Sequence, residues 1–212
     1  GTLQERDTLR RELINHVSHD LRTPLAALHG YLETLQIKAG QLADADRAIY
    51  LDAALRHSRR LGRLVGDLFE LAKLDAHAIQ PHRECFAAAE LLQDIAQKYP
   101  LPARERRIRL IVRLPAVALF VEADIGLLER VLDNLILNAL YHTPPAGIVA
   151  LELRAADGTA TFAVTDTGHG IEPRDLPHVF DRFYRGSKPV KDDGNHLGLG
   201  LAIAKRIVEL HG

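Results

Sequence analysis

Four short runs in this sequence carry residue types that could do chemistry. The first is Ser18-His19-Asp20-Leu21-Arg22-Thr23-Pro24. A neutral imidazole is a competent nucleophile, and a carboxylate directly beside it, Asp20, can orient the ring and accept its proton. On a helix, Thr23 lies one turn on and shares the face of His19. An exposed histidine judged alone is ordinarily just solvated, and His16, three residues earlier, has no third ligand to make a metal site. The second run, Leu128 to Ala139, places Asn134 and Asn138 at i,i+4 in an otherwise apolar stretch. Asparagine is a poor helix former, so two of them projecting from one face suggest a ligand. Their amide oxygens suit Mg²⁺, which keeps several waters and is shared with phosphates; the plainer alternative is polar capping of a core edge.

The third run is Asp166-Thr167-Gly168-His169-Gly170-Ile171. Glycines let the backbone approach a flat ligand closely. A carboxylate buried at a strand end accepts from an exocyclic amine and repels the carbonyl that guanine offers there, so adenine is the expected base; an ordinary loop is the alternative. The fourth run, Gly194 to Ala202, carries glycines into a helix start, where free N–H groups and the helix dipole favour phosphate. It lacks the lysine and hydroxyl of a P-loop. Between the last two, Phe180-Asp181-Arg182-Phe183-Tyr184-Arg185-Gly186 and the polar stretch Ser187 to Asn195 suggest a lid over a nucleotide, with a surface helix and its loop as the equal alternative.

These runs need elements to position them. From Leu9 to about Lys38, Leu13, Val17, Leu21, Leu25, Leu28, Leu32 and Leu35 recur at steps of three and four, which predicts a long helix with His19 facing away from its apolar stripe. Pro24 removes a hydrogen bond inside that helix and predicts a kink. Gly40 and then Asp44 or Asp46 mark a stop and a new N-cap. A second stripe, Leu51, Leu55, Ser58, Leu61, Val65, Leu68 and Ala72, runs to about Asp75. A two-helix hairpin is half of a bundle core, and a second copy completes it most simply, so a homodimeric four-helix bundle is expected.

After about His77 the periodicity changes, and prolines 81, 100, 102 and 115 punctuate the chain. This predicts two domains, residues 1–76 and 77–212. In the second, Ala87 to Tyr99, Asp124 to His142 and Leu199 to Leu210 read as helices. Arg107 to Leu114, Val149 to Arg154 and Thr159 to Asp166 read as strands, the last two joined at Asp157-Gly158. Arg107, Arg109 and Arg113 read as a solvated strand face. The fold class is α+β.

Composition narrows the function. The 212 residues carry 27 Lys+Arg and 28 Asp+Glu, a net charge of −1, which excludes a polybasic nucleic-acid binder. One cysteine, Cys85, excludes an internal disulfide and any multi-cysteine metal site, and reads as a small buried apolar residue. No apolar run approaches the roughly 18 to 20 residues that span a bilayer. The chain begins at Gly1 and contains no methionine, so a piece of a longer protein is expected.

In this order, the runs resemble the cytoplasmic core of a sensor histidine kinase of two-component signalling. His19 to Pro24 is similar to the phosphoacceptor box, Asn134 to Asn138 to the asparagine box, Asp166 to Ile171 to the first glycine box, Phe180 to Tyr184 to the phenylalanine box and Gly198 to Ala202 to the second glycine box. The resemblance implies a dimerisation and phosphotransfer hairpin followed by an α/β sandwich ATP-binding domain, the type shared with some chaperone and topoisomerase ATPases. It implies that His19 takes the γ-phosphoryl group of ATP, that Asp20 is the base, and that Thr23 positions water for dephosphorylating a response regulator. Asn138 would ligand Mg²⁺ with Asn134 in support. His142 would stack on adenine, and Asp166 would take its amine. Gly168, Gly170 and Ile171 would shape that pocket with Phe183, and Gly198, Leu199 and Gly200 would close the lid on the phosphates.

The partners implied are a second copy and the receiver domain of a response regulator, with no nucleic acid. The location implied is cytoplasmic, with membrane-anchoring segments upstream. The sequence departs from the family pattern at Tyr141, where members often carry a cation, and at His196, where they carry glycine. The family continues past the position of Gly212 into two more strands, so an unpaired sheet edge is expected. The rival readings are a catalytically weak signalling scaffold that binds a response regulator, and an ATPase or chaperone of the same fold, which the acceptor box opposes.

Overall fold

The computed structural model describes residues 3–76, 78–156, 159–184, 186 and 198–212, with side chains from Val17 onward. The chain divides into two compact units, Gly1–Glu70 and Leu71–Gly212.

The first unit is built from α1 (Leu3–Ile37) and all but the end of α2 (Asp44–Asp75). α1 runs through Pro24 as one helix, with the proline ring buried. α2 begins at Asp44 itself, with the Arg47 N–H bonded to the Ala43 carbonyl, so neither Asp44 nor Asp46 is the cap. Both acids lie in the first turn instead, where they complement the helix dipole. The two helices meet through Tyr31, whose ring lies 6.0 Å from that of Tyr50 and stacks on His57 at 5.7 Å.

The apolar stripe of each helix is wider than one face needs. On α2, Ala53, Ala54 and Leu64 are buried, whereas Leu51, Leu55, Val65 and Phe69 are exposed. On α1, Leu25 and Leu32 are exposed and Leu21, Leu28 and Leu35 half-buried. One edge of the stripe closes the hairpin, and the other remains as an uncovered apolar row.

The second unit is an α/β sandwich. β1 (Glu84–Ala87) pairs antiparallel with β3 (Phe120–Ala123), and a three-stranded sheet runs in the order β2 (Arg109–Arg113), β4 (Ile148–Ala156), β5 (Thr159–Asp166). β2 and β4 are parallel, so the chain must cross over between them, and it does so through α5 (Ile125–His142). β4 and β5 form a hairpin in which Ala156 pairs with Thr159; Asp157 and Gly158 lie outside the described residues. β5 has no neighbour on its outer side among the described residues. α3 (Ala88–Ala96), the short α4 (Pro100–Glu105) and α6 (Gly200–His211) complete the unit.

Its core lies where α3 and α5 pack on the sheet, with Leu92, Ile95, Leu132, Ile136, Val149 and Leu151 fully buried. Burying each such side chain contributes about 1.5–3 kcal/mol. At the edge of this core the Tyr99 hydroxyl donates to Asp133 at 2.6 Å, and burial, reinforced by that carboxylate, pushes the phenol well up. On the opposite face of β4, the buried Glu152 is held between Arg113 and Arg154, chiefly by Arg113, which keeps its carboxyl below the usual range. Arg113 therefore neutralises a neighbouring strand, while Arg107 sits in a left-handed turn (φ 58°) before β2. β1, β3 and α4 were not predicted: four-residue strands are too short to show a period, and the prolines of α4 read as punctuation. Cys85 lies on β1 and is exposed, which corrects the expectation of a buried residue.

Candidate functional site

In the first unit, the His19 side chain is 78% exposed, on the outward face that its spacing predicted. Its Nδ1 lies 3.2 Å from Asp20 Oδ1. A carboxylate only accepts, so Nδ1–H is the donor and the neutral ring carries its lone pair on Nε2. Nε2 is thus the nitrogen able to act as a nucleophile, and Asp20 is placed to accept a proton from Nδ1. One turn on, the exposed Thr23 donates from Oγ1 to the His19 carbonyl at 3.2 Å.

In the second unit, α5 supplies a row. Its N-terminus is fixed by Asp124, whose carboxylate accepts from the Leu127 N–H at 3.0 Å and the His82 N–H at 2.8 Å. Asn134, Asn138 and His142 then follow at successive i,i+4 steps on one face, spanning about 12 Å at 1.5 Å per residue. At one end of the row, Asn134 meets the start of α6. A Cβ built on Gly200 would lie 3.2 Å from Asn134 Oδ1. The Asn134 Nδ2 is buried and has no hydrogen-bond partner among the described residues. Such an atom costs about 1–3 kcal/mol unless something satisfies it. Among the described residues α6 has no side-chain cap at Leu199, which leaves its first N–H groups open to an anion. An orphaned amide beside an uncapped helix start fits phosphate oxygens and their Mg²⁺.

The other end of the row meets the glycine turn after β5. Asp166 Oδ1 accepts from the Gly168 N–H at 2.7 Å, leaving Oδ2 for an outside donor. Asp166 is exposed, not buried as its strand-end position suggested. A Cβ on Gly168 would lie 2.5 Å from the His142 carbonyl oxygen, so only glycine lets the turn rest on the end of α5. Gly170 is left-handed (φ +68°), with open space around it, and the adjacent Ile171 is exposed. The His142 ring is half-buried, and its Nδ1 lies 3.0 Å from His169 Nε2. Burial first, and His169 second, lower its basicity against the opposing pull of Asp166.

A backbone clasp joins Phe183 to Gly198. Phe183 (φ 62°) donates its N–H to the Gly198 carbonyl at 3.0 Å, and Gly198 (φ +70°) packs so tightly that a Cβ would lie 2.6 Å from the Tyr184 carbonyl oxygen. The Tyr184 hydroxyl donates to the buried Asp175 at 2.9 Å. The polar stretch proposed as a lid, and His196 with it, lie outside the described residues.

The structure therefore gathers Asn134 with Gly200, His142 with Asp166 and Gly168, and Phe183 with Gly198. Asn138 is half-buried midway along the row. Sequence reasoning missed three contributors. Thr167 Oγ1 accepts from the Ile148 N–H at 2.9 Å, Gly147 admits Thr143 and Thr167 where a Cβ would collide, and His169 pairs with His142. The Pro-Pro-Ala-Gly run ending at Gly147 was the available signal for the second.

A helical hairpin bearing an exposed histidine–aspartate pair, followed by a sandwich in which an asparagine helix faces a glycine-led helix, defines the core architecture of a histidine kinase. Residues 9–77 match the His Kinase A (phospho-acceptor) domain, and residues 123–212 match the histidine kinase-, DNA gyrase B- and HSP90-like ATPase. The sensor histidine kinase WalK of Bacillus subtilis is 38% identical over 215 residues, which cover 100% of this chain and 35% of WalK. Full-length ShkA, solved in complex with AMPPNP, superposes with a TM-score of 0.63 at 27% identity, over 94% of this chain and 41% of that one. The fold is shared also with the histidine kinase ThkA in complex with the response regulator TrrA, at a TM-score of 0.68, 20% identity and 86% and 53% coverage. The chain belongs to the sensor histidine kinases and carries their phosphoacceptor and ATPase domains. It spans about a third of the length of WalK.

Proposed function

We propose that this chain autophosphorylates His19 from ATP and passes the phosphoryl group to an aspartate of a response-regulator receiver domain. The observation that carries the proposal is the pairing of a proton-directing Asp20 with an exposed His19. Nε2 of His19 attacks the γ-phosphorus, an N–P bond forms as the bond to the ADP oxygen breaks, and Asp20 takes the Nδ1 proton. Asn138 and Asn134 would hold the Mg²⁺ and phosphates, and Mg²⁺ would supply neutralisation of the phosphate charge. Gly198, Leu199 and Gly200 present backbone N–H groups to the same phosphates. Asp166 would accept from the adenine amine, in a pocket shaped by His142, Gly168, Gly170, Ile171 and Phe183.

In this reading residues 1–76 dimerise and accept phosphate, and residues 77–212 bind nucleotide. The AMPPNP complex of ShkA and the TrrA complex of ThkA support the nucleotide and the partner. Thr23, one turn from His19, would position water to dephosphorylate the regulator. In the full-length protein this core would be the cytoplasmic part of a membrane-anchored sensor; among the described residues no helix is long and apolar enough to cross a membrane.

The test is incubation with γ-labelled ATP and Mg²⁺, followed by acid and alkali treatment of the protein. The expected label is acid-labile, alkali-stable and lost in His19→Ala. No label on the parent chain refutes the activity; label that survives His19→Ala refutes the site.

A further inference from the structure

The contact between His142 and His169 joins two imidazoles whose protons can be ordered. His169 Nδ1 lies 2.7 Å from the carbonyl oxygen of Gly170. A carbonyl oxygen has no proton to give, so this Nδ1 carries the hydrogen and donates it. In the neutral ring the other nitrogen, Nε2, is then an acceptor. That nitrogen faces His142 Nδ1 at 3.0 Å, so the hydrogen between the rings belongs to His142 Nδ1. His142 is left with a bare Nε2. An isolated neutral histidine is free to choose its tautomer; here the left-handed Gly170 orients the carbonyl that starts the chain, and the choice passes through His169 to His142. The two rings are edge-on, with centroids 5.0 Å apart, and Tyr141 is also edge-on to His142 at 5.0 Å. Half-burial and the neighbouring His169 keep the His142 ring neutral, the state this ordering requires.

We infer that His169 is a positioning residue for nucleotide recognition: it holds His142 in its Nδ1–H form, so that the unprotonated Nε2 accepts a hydrogen bond from a donor group of the bound adenine nucleotide. This rests on the nucleotide reading of the site proposed above. Asp166 and His142 would then both meet the ligand as acceptors, which suits a base edge that donates through an amine.

Long-range proton–nitrogen spectra of the ¹⁵N-labelled chain in mildly alkaline buffer read the tautomer directly without any ligand. Calorimetry with ADP and Mg²⁺ reads the consequence. The expected spectrum shows His142 protonated at Nδ1. His169→Ala should move it towards the Nε2–H form and weaken ADP about fivefold, the loss of about one hydrogen bond. His169→Gln, whose amide oxygen can accept the same hydrogen, should restore both. His169 is exposed, so neither variant disturbs the core. An Nε2–H form of His142 in the parent chain, or a tautomer indifferent to His169→Ala, overturns the ordering. ADP affinity unchanged while the tautomer shifts overturns its role in recognition. An ordered tautomer in a parent chain that binds no ADP refutes the nucleotide reading itself, and the recognition role with it.

Discussion

Asn134 costs stability where it stands. Its Nδ2 is buried without a partner, and its Oδ1 closes on Gly200 at the head of α6. A side chain selected for folding alone would not bury an amide nitrogen without a partner here. Asn134→Leu is therefore expected to leave urea stability unchanged or raise it by about 1 kcal/mol, since an unsatisfied buried amide is removed. The same substitution should abolish Mg²⁺–ADP binding measured by calorimetry. A loss of stability beyond about 1 kcal/mol would mean that the amide serves packing. The spacing of Asn134 and Asn138 was legible in the sequence; the orphaned nitrogen that gives the spacing a purpose was not, because a missing partner is visible only once α6 is in place.

At the scale of elements, α5 carries the row that spans the site, and Asp124 fixes where α5 starts. Burial by itself would raise the Asp124 carboxyl, but the N–H groups of Leu127 and His82, with His211 nearby, outweigh it and hold the group below its ordinary value of 3.8. The folded state therefore binds this proton more weakly than the unfolded chain does. The capping contribution is fully present above the ordinary value and is lost as the pH falls through the lowered one. Asp124→Ala should cost about 1 kcal/mol at neutral pH in urea unfolding. The cost should shrink towards zero in strongly acidic buffer, and a cost independent of pH would exclude the capping role. The sequence located α5 within one residue because the helix is long and strongly periodic. β1 and β3 stayed hidden because a four-residue strand has no period to read and gains its stability from a partner some 36 residues away.

For the whole molecule, the uncovered row on the hairpin is the deciding feature. Leu25, Leu32, Leu51, Leu55, Val65 and Phe69 stay exposed in a single chain although their spacing is that of a buried stripe. A second copy of the hairpin would bury them as a four-helix core, in accord with the proposed homodimer. Leu55→Glu should shift sedimentation at micromolar concentration from dimer to monomer while leaving the ATP-binding unit folded by circular dichroism. A variant that remains dimeric would place the interface elsewhere.

The sequence by itself determined the chemistry available and its order: a histidine beside a carboxylate, paired asparagines, a strand-end aspartate and two glycine runs, each set by local spacing and intrinsic residue chemistry. Helix periods likewise follow from neighbours along the chain. Tertiary structure alone decided that Asp166 is exposed, that Gly168 must be glycine because the end of α5 lies against it, and that Arg113 answers Glu152. It also brought His169 Nε2 within 3.0 Å of His142 Nδ1. These facts depend on groups brought together from distant positions, and hydrogen-bond direction, burial and steric contact exist only between groups that have met.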